Sequence, residues 1–308
     1  MKRLTKKTYR LKRFIKADIW ELELEELSKA RARFIKYLKV MMITIKTFSS
    51  EKIGFQAVAL SFFSTMSVIP FVAIVFAITG GFGLADKLKE FLYDYFNNSQ
   101  QTIDMVLGFA QNIIDTAKSG TVGLVSALLF AWIVIWMMMS VERVFNNVWR
   151  VQKARNIIKR LSVIIAMLFV SPFIVFVFFG GTVAYSHALS YLGLDMESLS
   201  IVKTLVTWIL FSVVATFTFS AMYKFIPNSP VQYWHALKAA VPAGIAFTLV
   251  QYMYLETQVF VTRLNTIYGA FAAVPLFMLW LNIGWFIVLF GAELSYAFQN
   301  VDNYNIED

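Results

Sequence analysis

Cysteine is missing from all 308 residues, and histidine occurs only as His187 and His235. Without cysteine the chain forms no disulfide, has no thiol nucleophile and offers no cysteine-ligated metal site, and two histidines are too few for a histidine-rich one. The sequence also has no phosphate-binding glycine loop, no glycine-rich dinucleotide turn and no close set of carboxylates. We therefore expect no catalytic residue, no metal, no cofactor and no enzyme activity.

Charge is also scarce: Asp, Glu, Lys and Arg make up 15% of the chain and apolar residues 58%, whereas about a quarter of a soluble domain is charged. Charge is absent from residues 53–85, 119–141, 161–194, 204–223, 239–255 and 264–292. A helix needs about 20 apolar residues to cross a bilayer core of about 30 Å. The predicted fold class is therefore all-α, a polytopic membrane protein of six transmembrane helices. The predicted spans are about 54–79, 121–141, 161–186, 203–225, 237–260 and 270–297.

The basic residues lie in alternate connections between these spans. Residues 1–52 hold 15 Lys and Arg, residues 142–160 hold six and residues 224–238 hold two, while all other segments together hold five. Loops rich in Lys and Arg stay on the cytoplasmic side of a membrane. We therefore predict a multi-pass cell-membrane protein whose N-terminus and C-terminal tail, residues 299–308, are both cytoplasmic.

Residues 1–52 form a basic amphipathic region, not the short apolar core of a cleavable signal peptide. Apolar residues from Leu24 to Ile45 recur near helical spacing among Lys and Arg. We expect this region to lie on the cytoplasmic leaflet and bind anionic lipids, and we expect the first span to act as the insertion signal. A disordered tail is the alternative for residues 1–15. RNA binding is disfavoured because aromatic platforms are missing, so no nucleic acid is expected as a partner.

Residues 82–118 carry too much charge, in segments too short, to span a membrane. Leu84, Leu88 and Leu92 begin one helical apolar stripe, and Ile103, Val106 and the apolar residues after them form a second. The spacing predicts two amphipathic helices outside the cytoplasm, between spans one and two, packed on the bundle or at the lipid boundary.

The first span carries small hydroxyl side chains. Ser61, Ser64 and Thr65 share one face of a helix, so they are predicted to bond to a neighbouring helix, which is the more common role, or to line a cavity. Pro172, Pro242 and Pro275 lie inside three later spans. We expect kinks there, because proline removes a backbone hydrogen bond from a helix.

Ionisable residues near the cytoplasmic ends of the spans are the first functional candidates, because charge inside a membrane is costly. Glu142 and Arg143 close the second span, Asn146 follows one turn later, and Glu293 lies in the last turns of the sixth span. Both spans run towards the cytoplasm, so Arg143 and Glu293 are predicted to lie at the same depth. Two interpretations stay open: a structural ion pair that holds the bundle closed, and a gate or proton-coupling site.

A second polar group lies where the fifth span turns into the sixth. Glu256, Arg263 and Asn265 cluster there, and they fit either a polar vestibule or an ordinary hydrated turn. Asn282 lies in the middle of the sixth span, so it is expected to face the bundle and hydrogen-bond there.

Several segments together resemble the YihY/virulence factor BrkB family of bacterial inner-membrane proteins. They are AVALSFFSTMSVIP at 57–70, VERVFNNVW at 141–149, FIPN at 225–228, IYGAFAAVPLFMLW at 267–280 and GAEL at 291–294. The resemblance covers about residues 35–300 and implies six spans and a plasma-membrane location. It implies no settled activity, since the old ribonuclease label of the family is regarded as mistaken. It also marks Glu142, Asn146 and Glu293 among its family-like positions.

Two classes of function fit these observations. The leading hypothesis is a transport-type protein that moves a small solute, ion or lipid through or along the bundle. The alternative is a non-enzymatic scaffold for envelope assembly or for a partner protein. Association of several copies into a homo-oligomer is compatible with either class. Transport predicts a cavity that reaches the membrane midplane and is lined by Ser61, Ser64, Thr65 or Asn282, whereas a uniformly close-packed bundle favours the scaffold.

Overall fold

A computed structural model of the chain describes residues 19–21, 28–95, 100–117, 120–153, 155–191, 200–268 and 273–304. These residues form nine long helices and no strand. In chain order they are α1 (Lys29–Ser50), α2 (Ile53–Gly81), α3 (Ala85–Tyr95), α4 (Gln100–Ala117), α5 (Thr121–Val148), α6 (Ile157–Tyr191), α7 (Ser200–Phe225), α8 (Tyr233–Tyr268) and α9 (Ala273–Asn300). A helical turn at Ile19–Glu21 precedes them, and a 3₁₀ turn at Val301–Asn303 follows.

Six of these helices are long and apolar enough to cross a membrane, which confirms the predicted all-α fold with six spans. They are α2, α5, α6, α7, α8 and α9. Several run past the predicted boundaries, because a helix continues into polar residues once its backbone hydrogen bonds are in place. Helix α8, for example, begins at Tyr233 and ends at Tyr268, well beyond the uncharged stretch 239–255.

The bundle is built around α2, α8 and α9. Helix α8 packs against α7 and α9, and α2 packs against α9 and α5. Small residues allow these close approaches: a Cβ on Gly244 would overlap the side chain of Thr216 and lie 3.0 Å from its backbone nitrogen. Because lipid supplies no hydrophobic force between helices, such close packing is what holds a membrane bundle together.

Helices α3 and α4 occupy the segment for which an amphipathic pair is predicted. Leu88 of α3 is buried against Val75 and Phe76 of α2, with Leu107 of α4 packed at the edge of the same cluster. Helix α4 also packs against α5. Both helices therefore pack against the bundle. Their place outside the membrane stays a prediction from the charge pattern.

Helix α1 packs antiparallel along the second half of α9. Lys36 contacts Asp302 at 2.7 Å, Tyr37 stacks edge-on against Phe298, and the ring of Phe48 lies 4.7 Å from that of Phe286. Helix α1 therefore follows the axis of a membrane-spanning helix. The expectation that residues 22–45 lie on the anionic leaflet stays a prediction.

Three prolines lie inside helices, at Pro70 of α2, Pro172 of α6 and Pro242 of α8. The expected kink at Pro275 is wrong. Helix α9 begins at Ala273, so Pro275 falls in the first turn, where the backbone N–H groups have no intrahelical acceptor and proline costs nothing.

Candidate functional site

The carboxylate of Glu142 is paired with the side chain of Arg160. The Nε of Arg160 donates to Oε2 of Glu142 at 2.7 Å, and the Glu142 side chain is only 6% exposed. The predicted pair of Arg143 and Glu293 is wrong: Arg143 is exposed, and neither oxygen of Glu293 has a hydrogen-bond partner. Residues 142 and 143 point about 100° apart on a helix, and the structure turns Glu142 inward.

Glu293 is fully buried in α9. The charged groups that act on its carboxyl are Arg150, which attracts a negative charge, and Glu51, which repels it. A buried carboxylate without a hydrogen bond is costly, and an unsatisfied group of this kind requires a functional or structural explanation. Glu293 therefore remains the gate or coupling candidate, without the partner that the sequence suggested.

Asn146 holds two connections together at the end of the bundle formed by residues 142–160, 224–238 and 293–304, called here the basic end. Its Oδ1 accepts a 2.7 Å hydrogen bond from the backbone nitrogen of Asn228. Arg155 donates to the carbonyls of Ile226 and Pro227 at 3.1 and 2.9 Å. Arg155 thus satisfies backbone carbonyls after the end of α7, while Asn146 satisfies a backbone N–H of the same connection and ties it to the end of α5.

The hydroxyls of the first span divide into two kinds. Ser61 and Thr65 donate to backbone carbonyls of their own helix, those of Val58 and Ser61. Ser64 instead accepts a 2.9 Å hydrogen bond from Nε1 of Trp285. The predicted bond to a neighbouring helix is therefore made by Ser64, which links α2 to α9, and not by Ser61 or Thr65.

A cavity of about 430 Å³ opens beside this Ser64–Trp285 bond, within the range of about 300–1,000 Å³ that small-molecule sites occupy. Its lining is aromatic and aliphatic, with two serine hydroxyls. The wall is formed by Ser64, Ser67, Val68 and Phe71 of α2, Met137 of α5, Phe219 and Met222 of α7, Phe247 of α8, and Phe277, Trp280, Leu281, Gly284, Trp285 and Val288 of α9.

The cavity crosses the middle of the predicted membrane. Phe277 and Val288 lie four and fifteen residues after the start of α9 at Ala273, or about 6 and 22 Å at about 1.5 Å per residue. The midplane of a 30 Å core lies about 15 Å from either face. The cavity therefore lies at the depth of the predicted midplane.

The remaining candidates lie apart from the cavity. Asn282 of α9 is half-buried and is not among the lining residues. Glu256 of α8 is exposed. The side chains of Arg263 and Asn265 lie outside the described residues, so the predicted vestibule is not addressed. Within the described part of the chain, no three histidine or acidic side chains lie close enough to hold a metal ion.

Sequence patterns pointed to Ser64 but not to most of the cavity wall. Trp280 and Trp285 fall five residues apart in α9, so they point about 140° apart around the helix at about 100° per residue. The Nε1 of Trp280 is buried without a hydrogen-bond partner, which is unusual for a buried indole. The sequence signals for this cavity were a pair of tryptophans inside one span and a serine-bearing face in another.

The fold and this cavity define a polytopic α-helical membrane protein with six spans and a ligand-sized cavity at membrane depth. The family described as Virulence factor BrkB matches residues 44–308, and the chain belongs to it. This confirms the resemblance that the sequence motifs suggested. No solved structure matches the chain.

The chain is also similar to proteins named UPF0761 membrane protein. One from Chlorobium limicola is 28% identical over 301 residues, covering 95% of this chain and 66% of the relative. One from Haemophilus influenzae is 28% identical, covering 83% of this chain and 93% of the relative. One from Methylibium petroleiphilum is 31% identical, covering 82% and 61%. The chain thus spans just under two thirds of two of these relatives and nearly all of the third.

Proposed function

We propose that the chain is a transport-type protein that moves a small solute, ion or lipid, with the cavity between α2 and α9 as its substrate site. The observation that carries the proposal is the cavity itself. A scaffold needs only a close-packed bundle, whereas an opening of about 430 Å³ beside a buried Ser64–Trp285 bond leaves packing energy unused. Such a cost is expected where a ligand binds.

The lining favours an apolar or amphiphilic substrate over a free ion. The only hydroxyls in the wall belong to Ser64 and Ser67, no lining residue is charged, and an ion would lose its hydration without replacement. Methionines such as Met137 and Met222 adapt to irregular apolar shapes. The unpartnered Nε1 of Trp280 supplies a donor for one acceptor oxygen of the substrate.

A single substitution that fills the cavity provides the test. Leu281→Trp puts a larger side chain into the wall and is expected to lower transport about tenfold, because overpacking costs about 1–3 kcal/mol. The matched control is Leu279→Trp, whose site on the same helix is 54% exposed and should tolerate the change. The measurement uses liposomes of phosphatidylethanolamine and phosphatidylglycerol, with a dithionite assay for NBD-labelled phosphatidylcholine and pyranine for protons.

Transport of the labelled lipid or of protons above the protein-free rate, lost in Leu281→Trp and kept in Leu279→Trp, supports the cavity as the substrate site. Equal rates with and without wild-type protein for both probes would instead favour the scaffold. In that alternative the α3–α4 pair, with Met105 and Phe109 exposed, would provide a contact surface. Neither proposal assigns the chain a catalytic reaction.

Glu293 is proposed as the group that couples transport to protons. It is the fully buried carboxyl of α9, and an intramembrane ionisable residue without a fixed partner is suited to this role. We expect Glu293→Gln to lower the transport rate driven by a pH gradient by about tenfold or more, because an amide side chain does not take up and release a proton as a carboxyl group does. The rate without a gradient should change little, and an equal loss of both rates would contradict coupling.

The remaining parts of the proposal concern location and partners. We propose the plasma membrane of a bacterium, with both termini in the cytoplasm, because the basic connections alternate as the positive-inside rule requires. The partners are the bilayer itself and anionic lipids at the basic N-terminal region. Exposed apolar residues on the spans, such as Leu128 and Leu129 of α5, are suited to lipid or to a second copy of the chain.

A further inference from the structure

A second, smaller pocket lies where α1, α8 and α9 meet at the basic end of the bundle. Its volume is about 180 Å³, which suits one small polar group. The pocket is lined by Arg33, Lys36, Tyr37, His235, Lys238 and Phe298. Four of these six residues are basic, and none of the lining residues is acidic.

One carboxylate, that of Asp302, is paired with a lining lysine of the pocket. Asp302 contacts Lys36 at 2.7 Å. Burial lowers the pKa of Lys39, and the Asp302 carboxylate partly offsets this effect. One carboxylate thus faces two lysines of α1, while Arg33 and Lys238 add further positive charge across the pocket. Like charges held together destabilise a fold unless an anion is bound.

His235 is a lining residue of the same pocket, with one ring nitrogen buried behind the pocket surface. Its Nδ1 is buried and has no hydrogen-bond partner, although a buried ring nitrogen normally has one. His235 also lies in the first turn of α8, which begins at Tyr233. The N-terminal end of a helix carries a partial positive charge that favours an anion.

Exposed aromatic residues surround the pocket and indicate its level in the membrane. Trp234 is 70% exposed and Tyr233 42% at the start of α8, while Phe34 is 69% and Tyr37 48% exposed on α1. Tyrosine and tryptophan concentrate where hydrocarbon meets headgroups. The pocket therefore lies at headgroup level, where lipid phosphate is the abundant anion.

We infer that this pocket binds the phosphate of an anionic phospholipid from the leaflet at the basic end of the bundle. Arg33, Lys238 and His235 would hold the phosphate, and the exposed aromatic side chains would rest among the acyl chains and glycerol backbone. The positive-inside rule makes this the cytoplasmic leaflet. The inference does not depend on transport, because the pocket is separate from the cavity between α2 and α9.

The test removes the two cations that are not tied to Asp302. Each of Arg33→Gln and Lys238→Gln is expected to weaken binding about fivefold and the double variant about thirtyfold, from about 1 kcal/mol per basic residue near lipid phosphate. The probe is dihexanoyl-phosphatidylglycerol, a soluble short-chain lipid, titrated calorimetrically into the full-length protein in a neutral detergent. Dihexanoyl-phosphatidylcholine and inorganic phosphate are titrated in parallel.

A matched control separates the pocket from general positive charge. Lys153→Gln with Lys159→Gln removes the same charge from two exposed residues of the connection 149–156 and the start of α6. This variant should bind the phosphatidylglycerol probe as the wild type does. The unfolding temperature without lipid is measured for every variant, and an unchanged value shows that Arg33 and Lys238 are not needed for folding.

Three outcomes would overturn the inference. They are equal binding by wild type and the Arg33–Lys238 double variant, an equal loss in the lysine control, and inorganic phosphate binding as tightly as the lipid probe. The last result would identify a free anion, not a lipid, as the occupant. Preference for phosphatidylglycerol over phosphatidylcholine, lost only in the double variant, supports the lipid site.

Discussion

Replacing Gly291 by alanine is expected to destabilise the bundle by about 3 kcal/mol, at the upper end of the cost of overpacking a core. A Cβ at this position would overlap the hydroxyl oxygen of Tyr223 and lie 2.9 Å from the Cβ of Ala243. Glycine is therefore required here because α7 and α8 both come into contact with the α9 backbone at this position. Stability is measured in mixed micelles with increasing dodecyl sulfate, followed by tryptophan fluorescence.

A second substitution should rescue much of this loss. The Tyr223 hydroxyl is buried and has no hydrogen-bond partner, so Tyr223→Phe alone should cost little while it removes the atom that a Cβ at position 291 would overlap. Gly108→Ala is the control, because nothing lies within 4 Å of a Cβ there. If Gly291→Ala were as stable as this control, the close packing of α7 on α9 would be wrong.

Removing the side-chain charge of Arg160 is the second change with a large expected effect. Arg160→Met should destabilise the fold by about 3 kcal/mol, the lower end of the cost of breaking a buried ion pair, because the Arg160 side chain is 20% exposed. The loss arises at Glu142, whose Oε1 has no hydrogen-bond partner and whose Oε2 would lose the hydrogen bond from Nε of Arg160. The same dodecyl sulfate titration measures the change.

The origin of this loss is tested by neutralising the carboxylate as well. Glu142→Gln added to Arg160→Met should recover most of the lost stability, because an amide is far cheaper to bury than an unpaired charge. Arg143→Met is the matched control, since Arg143 is exposed on the same turn of α5 as Glu142. A loss in the control equal to that in Arg160→Met would show that general charge, not the pair, stabilises the bundle.

The ion pair also illustrates which part of the site the sequence could predict. Glu142 was identified as a candidate because it is an ionisable residue that closes an uncharged segment, and the structure shows that it is buried. Its partner could not be predicted, because Arg143, Arg150, Lys159 and Arg160 all lie near the same depth. Which basic residue pairs with Glu142 depends on the rotation of α5 about its axis and on the position of α6 beside it. Neither can be predicted from the local sequence pattern.

The residues of the cavity were likewise predicted only in part. Ser64 was predicted to contact a neighbouring helix or line a cavity, and it does both, through Trp285. Thr65 follows Ser64 in the chain, yet its hydroxyl bonds to its own helix. Asn282 was one of the residues expected to line a cavity, but Trp280 and Trp285 of the same helix line it instead.

The sequence by itself determined that the hydrocarbon core of a membrane surrounds most of this protein, and therefore that it has six spans. Hydrocarbon cannot hydrate a charge, so uncharged stretches of about 20 residues leave few alternatives to membrane helices. The tertiary structure alone decided which faces meet: Glu142 with Arg160, Ser64 with Trp285, and α1 along α9. Helix–helix contacts in a membrane depend on small differences in shape between apolar surfaces, and those differences appear only when the helices are assembled.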